Sequence, residues 1–269
     1  MAGSRVAYRS SAPEWIGGPI VIDWVGKLKR ELRRPFGGGT IAGPPLDFSP
    51  FQKSLLKKVR PYTMTSDERV AVLESAVRHV ARNCSGDFVE CGVAKGGSMM
   101  AIAYTLLDLR TTGPDLYLYD TFEGMPEPDE NDRGRFGEPA HRSWRKRRDE
   151  AGHSTWINHG VEEVRRNLLL TGYPMERIHF IKGKVEDTLP TTAPPERIAL
   201  LRLDTDWYAS TRVEFDHLYP RLVQGGILIV DDYFRWQGSR KATDEYLLEH
   251  KVPMFLVRVD DSSVIGVKP

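Results

Sequence analysis

Two hydrophobic runs that end in acidic residues decide the fold: Ile198-Ala-Leu-Leu-Arg-Leu203, followed by Asp204-Thr205-Asp206, and Gly226-Ile-Leu-Ile-Val230, followed by Asp231-Asp232. Runs this short and apolar are typical of buried strands in a parallel sheet. In open α/β sheets, ligands bind just beyond the carboxyl ends of the strands. Carboxylates that two strands deliver there can converge on one hard cation, which prefers oxygen ligands. The pattern therefore predicts a metal-assisted enzyme.

Length and composition restrict the class of protein. A chain of 269 residues accommodates one large α/β domain, with or without an appendage. The net charge of +1 argues against electrostatic capture of nucleic acid or of a membrane surface. The two cysteines have no spacing that suggests zinc or a disulfide framework, and no apolar stretch is long enough to span a bilayer. We expect a cytoplasmic protein whose partner is a small molecule.

Strands and helices alternate along most of the chain. Strands are predicted over 87–91, 115–119, 178–181, 198–203 and 226–230, and helices over about 66–83, 99–109, 160–170, 209–223 and 239–249. Repeated strand–helix units imply a doubly wound, mostly parallel sheet with right-handed connections, as in Rossmann-like α/β folds. The tail predicts two more strands, 254–259 and 263–268, which form a C-terminal antiparallel hairpin.

Two segments depart from this rhythm. Residues 1–50 carry glycine and proline breakers and a basic run, which predicts an N-terminal appendage to a main domain over 51–269. Residues about 121–160, called the insertion below, contain several prolines and glycines and a charged run. Long insertions inside compact domains are often lids or binding loops. We therefore predict a lid in this segment.

Two further carboxylates end the first two predicted strands. Glu90 precedes residues 92–98, here called the glycine turn, whose glycines allow a close approach of the backbone to a ligand. The spacing is not G-x-G-x-x-G, so it does not favour a dinucleotide pyrophosphate. Glu90 suits an ammonium group and Asp120 suits the two hydroxyls of a ribose, although ordinary turn chemistry and helix capping are alternatives. Together they suit S-adenosylmethionine, which carries both groups and no phosphate.

Beyond these positions, the sequence resembles the macrocin-type (TylF/MycF) O-methyltransferases from about residue 62 to 250. Those enzymes methylate sugar hydroxyls of macrolide and aminocoumarin antibiotics with S-adenosylmethionine and Mg²⁺. One matching string is Leu118-Tyr-Asp-Thr-Phe-Glu-Gly-Met-Pro-Glu-Pro128, whose most specific part is Tyr119-Asp-Thr-Phe-Glu-Gly-Met-Pro126. The other matching strings are Phe88-Val-Glu-Cys-Gly-Val93, Gly96-Gly97-Ser98, Asp187-Thr-Leu-Pro190, Leu203-Asp-Thr-Asp-Trp-Tyr-Ala-Ser-Thr211 and Gly225-Gly226 through Asp231-Asp232-Tyr233.

The resemblance implies a class I methyltransferase fold and a set of cofactor contacts. Glu90 and Ser98 would lie along the methionine portion, and Asp120 would hold the ribose. Val185 and Glu186 would flank the adenine. The implied cofactor-binding residues are Tyr62, Thr63 and Met64, which would close over the cofactor, with Glu90, Gly92, Ser98, Asp120, Val185, Glu186 and Asp187, the last supporting the adenine loop.

The resemblance also implies a metal site. Asp204, Asp231 and Asp232 would bind Mg²⁺, and Asp206, two residues beyond the first ligand, is a candidate general base beside Asp204. Methyl transfer is an in-line displacement that needs the nucleophilic oxygen roughly 3 Å from the methyl carbon. A metal that binds neighbouring hydroxyls would orient them and lower the hydroxyl pKa. Capping by Asp231-Asp232 and a supporting or solvated position for Asp206 are the alternatives.

We therefore expect a homo-oligomeric, Mg²⁺-assisted O-methyltransferase that acts on a sugar hydroxyl of a glycosylated natural product. A catechol-type O-methyltransferase is the nearest rival, and it would have a narrow, flat site instead of a wide one lined by the insertion. A nicotinamide oxidoreductase would need a pyrophosphate turn that this sequence lacks. A catalytically inactive binding or assembly subunit would have no use for the full acidic set.

Overall fold

A computed structural model describes residues 47–269, whose strands form one seven-stranded sheet. The strands are β1 Asp87–Cys91, β2 Leu116–Asp120, β3 Ile178–Lys182, β4 Ile198–Leu203, β5 Leu222–Val230, β6 Leu256–Arg258 and β7 Val264–Val267. Their order is β3-β2-β1-β4-β5-β7-β6. The first five strands pair in parallel, and β7 pairs antiparallel with both β5 and β6. The predicted fold class, including the C-terminal hairpin, is confirmed.

Eight α-helices accompany these strands within residues 47–269. They are α1 Pro50–Val59, α2 Asp67–Asn83, α3 Gly97–Asp108, α4 Ala140–Arg145, α5 Val161–Leu169, α6 Val185–Thr188, α7 Tyr208–Leu218 and α8 Gln237–Glu249. None of the helices in this part of the chain is long and apolar enough to cross a membrane.

The two faces of the sheet are buried in different hydrophobic clusters. Phe88 and Leu200 belong to a cluster with helices α1, α2 and α3, whereas their neighbours Val89 and Leu201 belong to a cluster with α7 and α8. Successive side chains of a strand point to opposite faces, and both faces are covered by helices. This explains why the strands are continuous apolar runs, and it leaves the carboxyl ends of the strands as the place for ligands.

The sequence prediction missed α1 and placed the start of β5 four residues too late. Helix α1 begins with a capping box, in which Ser49 and Gln52 each accept from the other's backbone N–H, at 3.1 Å and 2.9 Å. Strand β5 begins at Leu222, although Gly225 has a φ of +76°. The amide of Gly225 donates to the carbonyl oxygen of Lys268 in the tail. Because of this pairing, the strand continues through Gly225-Gly226, a residue pair that in a sequence is typical of a turn.

The insertion is held against the ends of β4 and β5. Its buried Asp132 accepts a 2.8 Å hydrogen bond from the amide of Tyr208 at the start of α7. Gly134 forms an isolated bridge with Trp236, and the amide of Gln237 donates to Arg133. Apart from α4, the segment has little regular structure. The insertion therefore lies beside the acidic residues that follow the two strands, and its action as a lid stays a prediction.

Residues 1–46 lie outside the described part of the chain, and most of the predicted appendage falls there. The division into an appendage and a main domain therefore stays a prediction.

Candidate functional site

One cavity of about 410 Å³ lies at the carboxyl ends of β1, β2, β4 and β5. This volume falls within the roughly 300–1,000 Å³ typical of small-molecule sites. The predicted site residues that line it are Tyr62, Thr63, Met64, Glu90, Gly92, Ser98, Asp120, Val185, Glu186, Asp204, Asp206, Asp231 and Asp232. Asp187, which follows Glu186 on α6, is exposed outside the cavity wall, and its amide donates to the carbonyl oxygen of Lys184.

Two glycines bring the walls of this cavity together. Gly92 has a φ of +82°, and a Cβ there would clash with the carbonyl oxygen of Asp204. The amide of Asp204 in turn donates to Cys91 at 2.8 Å, so the end of β4 lies directly on the glycine turn. A Cβ on Gly97 would meet the backbone of Tyr62 at 2.5 Å. The absence of side chains at both glycines therefore lets three separate segments line one space.

Asp120 organises the glycine turn. Its Oδ2 accepts hydrogen bonds from the amides of Val93 at 2.6 Å and Ala94 at 3.2 Å, and its Oδ1 accepts from the amide of Phe122 at 2.7 Å. A carboxylate offers about four acceptor positions, so most of its capacity is already used. Asp120 also lines the cavity, so the same residue can order the turn and face a ligand.

Three carboxylates that follow β4 and β5 form an acidic cluster of Asp204, Asp206 and Asp232. Each can offer one oxygen such that all three oxygens lie within 4.8 Å of one another. Burial, with the charges of neighbouring carboxylates, raises the pKa of Asp204 and of Asp232 well above the usual value, and burial raises that of Asp206 to about 7. Asp206 also has a left-handed φ of +71°, which is uncommon for a residue other than glycine.

Asp231, a predicted metal ligand, has other partners in the structure. Its Oδ1 accepts from Nη2 of Arg202 at 2.6 Å, and its Oδ2 forms an ion pair with Arg69. Asp231 lines the cavity, but Asp206 takes its place among the converging oxygens. The structure therefore brings two of the three predicted ligands together with the candidate base.

Arg202 is a site residue that sequence reasoning missed. Only 3% of its side chain is exposed, and its Nη1 donates to Glu90 Oε1 at 2.6 Å and to Asp204 Oδ2 at 2.7 Å. The only sequence signal is the single charge inside an otherwise apolar strand, since an arginine is almost never fully buried unless it is paired. Burial raises the pKa of Glu90 to about 7, and its Oε2 has no hydrogen-bond partner among the described residues.

An aromatic cluster of Trp156, Trp207 and Trp236 lies on the side of the insertion. Their ring centroids are 5.0–6.1 Å apart in edge-to-face arrangements. Trp156 and Trp236 line the cavity, with Met125 from the same insertion. A further tryptophan of the insertion, Trp144, is buried and donates to the carbonyl of Met125 at 3.0 Å. The cavity therefore has an acidic wall and an aromatic wall next to each other.

Comparison with known proteins identifies the family of this chain. The model of a family described as Macrocin-O-methyltransferase (TylF) matches residues 57–267. Demethyldecarbamoylnovobiocin O-methyltransferase of Streptomyces niveus is 32% identical over 204 residues, which is 76% of this chain and 74% of that protein. The 8-demethyl-8-(2,3-dimethoxy-alpha-L-rhamnosyl)-tetracenomycin-C 4'-O-methyltransferase of Streptomyces olivaceus is 33% identical, again over 76% of this chain and 74% of that protein.

A solved structure, that of the O-methyltransferase NovP, superposes with a TM-score of 0.67 at 30% sequence identity. The superposition covers 77% of this chain and 82% of that one. The family match extends from the end of α1 to the last strand, so it includes the whole sheet and every residue of the acidic cluster. The chain belongs to the macrocin O-methyltransferase family and is an O-methyltransferase.

Proposed function

We propose that this enzyme transfers the methyl group of S-adenosylmethionine to a sugar hydroxyl of a glycosylated natural product, with the assistance of Mg²⁺. The observation that carries the proposal is the convergence of Glu90 and Asp120 with the acidic cluster in one cavity. A relative that is 33% identical is named for an acceptor that bears a rhamnosyl group.

The donor would lie along the glycine turn. The partnerless Oε2 of Glu90 offers a buried acceptor for the ammonium group, and Ser98 lies beside it in the cavity wall. Asp120 would hold the ribose, with Val185 and Glu186 at the adenine. Bound S-adenosylmethionine supplies an electrophilic methyl group on a sulfonium, and these side chains bind and orient it.

The donor set of the acidic cluster fits Mg²⁺. Converging carboxylates, of which Asp232 is buried and Asp204 and Asp206 are half-buried, are unfavourable as a group of anions unless a cation neutralises them. We assign Asp204 and Asp232 as ligands, with the third protein ligand supplied by Asp206 or, as the family resemblance implies, by Asp231. A bound Mg²⁺ would lower the pKa of an acceptor hydroxyl.

Asp206 is the candidate base for the hydroxyl proton. Its carboxyl lies in the cavity beside Asp232, and a pKa of about 7 suits proton transfer near neutral pH. The Asp206→Asn variant separates its two candidate roles, because the amide keeps the shape of the side chain. Lost turnover with unchanged Mg²⁺ affinity supports a base, whereas loss of both supports a ligand.

The acceptor would bind between the acidic cluster and the insertion. Met125, Trp156 and Trp236 offer apolar faces there, and such faces stack well on the C–H surface of a sugar or on an aglycone. Lining by the insertion was the feature expected of a sugar site, in contrast to a flat catechol site. Turnover of catechols in preference to glycosides would identify the catechol-type alternative.

Calorimetric titration tests the proposal most directly. We expect S-adenosylmethionine and S-adenosylhomocysteine to bind the purified protein, and NAD⁺ not to bind. Glycosides with vicinal sugar hydroxyls would then be screened for Mg²⁺-dependent methylation by mass spectrometry. If neither S-adenosylmethionine nor S-adenosylhomocysteine binds, with or without Mg²⁺, the proposal is contradicted.

Homo-oligomeric assembly and a cytoplasmic location stay predictions. Light scattering measures the oligomeric state.

A further inference from the structure

A single buried guanidinium connects the proposed donor site with the proposed metal site. Nη1 of Arg202 donates to Glu90 at 2.6 Å and to Asp204 at 2.7 Å, and Nη2 donates to Asp231 at 2.6 Å. The three carboxylates line the cavity, whereas Arg202 is 3% exposed and lies beneath them on β4. Arg69 closes the network from α2, because it pairs with Asp231 and, at 2.9 Å, with Asp260.

We propose that Arg202 is a positioning residue that couples the two sites, so that Mg²⁺ at Asp204 weakens binding of the donor at Glu90, and the donor weakens binding of Mg²⁺. The inference rests on the proposed function, since it takes the donor ammonium to bind Glu90 and the metal to bind Asp204. Arg202 itself contacts neither ligand.

The direction of the coupling follows from the shared nitrogen. Nη1 divides its two hydrogen bonds between Glu90 and Asp204. A cation that binds Asp204 draws the negative charge of that carboxylate toward itself and weakens its bond to Nη1. The guanidinium then interacts more strongly with Glu90, which becomes a poorer acceptor for an ammonium group. Linkage requires the reverse effect to have the same size.

Calorimetry with S-adenosylhomocysteine and Mg²⁺ tests this coupling without measuring turnover. In the wild-type enzyme we expect the dissociation constant of S-adenosylhomocysteine to rise about fivefold at saturating Mg²⁺. In Arg202→Lys the ratio of the dissociation constants of S-adenosylhomocysteine with and without Mg²⁺ should fall below about two, because a lysine ammonium is a point charge without the rigid fork of a guanidinium. Thermal unfolding would establish that the variant is folded.

The matched control is Arg212→Lys, the same change in an ion-pair network at the protein surface. Arg212 pairs with Asp216 at 3.2 Å and with Glu249 at 2.7 Å, away from the cavity. Its coupling ratio should equal that of the wild type. Equal affinities for S-adenosylhomocysteine with and without Mg²⁺ in the wild type would overturn the inference, as would an unchanged ratio in folded Arg202→Lys.

If Arg202→Lys does not fold, Glu90→Gln probes the same link from its other end. Glu90 lies outside the acidic cluster, yet its neutralisation should free Nη1 for Asp204 and lower Mg²⁺ affinity about threefold in the absence of donor. Unchanged Mg²⁺ affinity would overturn the coupling. Failure of S-adenosylhomocysteine to bind the wild type in any condition would instead overturn the proposed function, and the inference with it.

Discussion

The two acidic regions of the cavity differ in the partners of their carboxylates. Beside the glycine turn, Asp120 accepts hydrogen bonds from two backbone N–H groups of the turn, at 2.6 Å and 3.2 Å, and from the amide of Phe122 at 2.7 Å. In the acidic cluster, burial and neighbouring negative charge raise the pKa values of Asp204 and Asp232, and among the described residues Asp204 alone of the cluster forms an arginine ion pair. Asp120 has its hydrogen-bond partners without a ligand, whereas the acidic cluster is a group of converging carboxylates that a cation would stabilise.

The difference indicates where binding energy is available. The hydrogen bonds of Asp120 make the donor side rigid before any ligand arrives, which lowers the entropy cost of binding. The acidic cluster gains its stability only when a cation binds, because buried carboxylates without a counter-charge are costly. Three variants or conditions would break or sharpen this contrast.

The largest expected effect comes from the point where the two regions touch. Gly92→Ala should destabilise the protein by about 3–5 kcal/mol, because it adds left-handed strain and a clash with the backbone of Asp204. Gly172→Ala is the matched control, since Gly172 has a similar φ of +78° and open space around it. That change should cost only about 1–2 kcal/mol. Urea unfolding measures both, and equal losses would contradict a tight contact between the regions.

A smaller effect is expected from the acidic cluster itself. Asp204→Asn should lower kcat/KM about 100-fold, or roughly 2.7 kcal/mol, because the neutral amide is a poor ligand for Mg²⁺. Calorimetry should show a parallel loss of Mg²⁺ affinity. Asp216→Asn changes an exposed aspartate outside the cavity and should leave both quantities unchanged. Full activity of Asp204→Asn would remove this residue from the proposed site.

The smallest effect concerns pH. Burial raises the pKa of Asp206 and of Glu90 to about 7, so the folded protein holds protons that the unfolded chain loses near pH 4. Without metal, the free energy of unfolding should therefore fall as the pH rises from about 4 to 7. Added Mg²⁺ should raise the melting temperature by several degrees at pH 8 and by much less at pH 5.5. Calorimetric melting at both pH values measures this, and an equal rise would contradict the contrast.

The fold and the composition of the cavity could be read largely from the sequence, because local patterns determine them. Runs of four to six residues predicted β1 to β4 closely, and parallel strands necessarily bring Glu90, Asp120 and Asp204 to one edge. Helix α1 was missed although it has local signals, a cap at Ser49 with Pro50 after it and Lys57 and Lys58 in its last turn, because it adjoins the segment predicted as an appendage.

Which aspartates face one another is a different matter, and only the tertiary structure decided it. Asp231 and Asp232 are adjacent in sequence and equivalent as metal ligands by residue type. Asp231 instead pairs with Arg202 on the neighbouring strand and with Arg69, 162 residues earlier in the chain. The sequence alone determined that carboxylates would gather where the strands end, since strand direction places them there. Three-dimensional packing determined which of them are neutralised, because ion pairs depend on distances that sequence spacing does not specify.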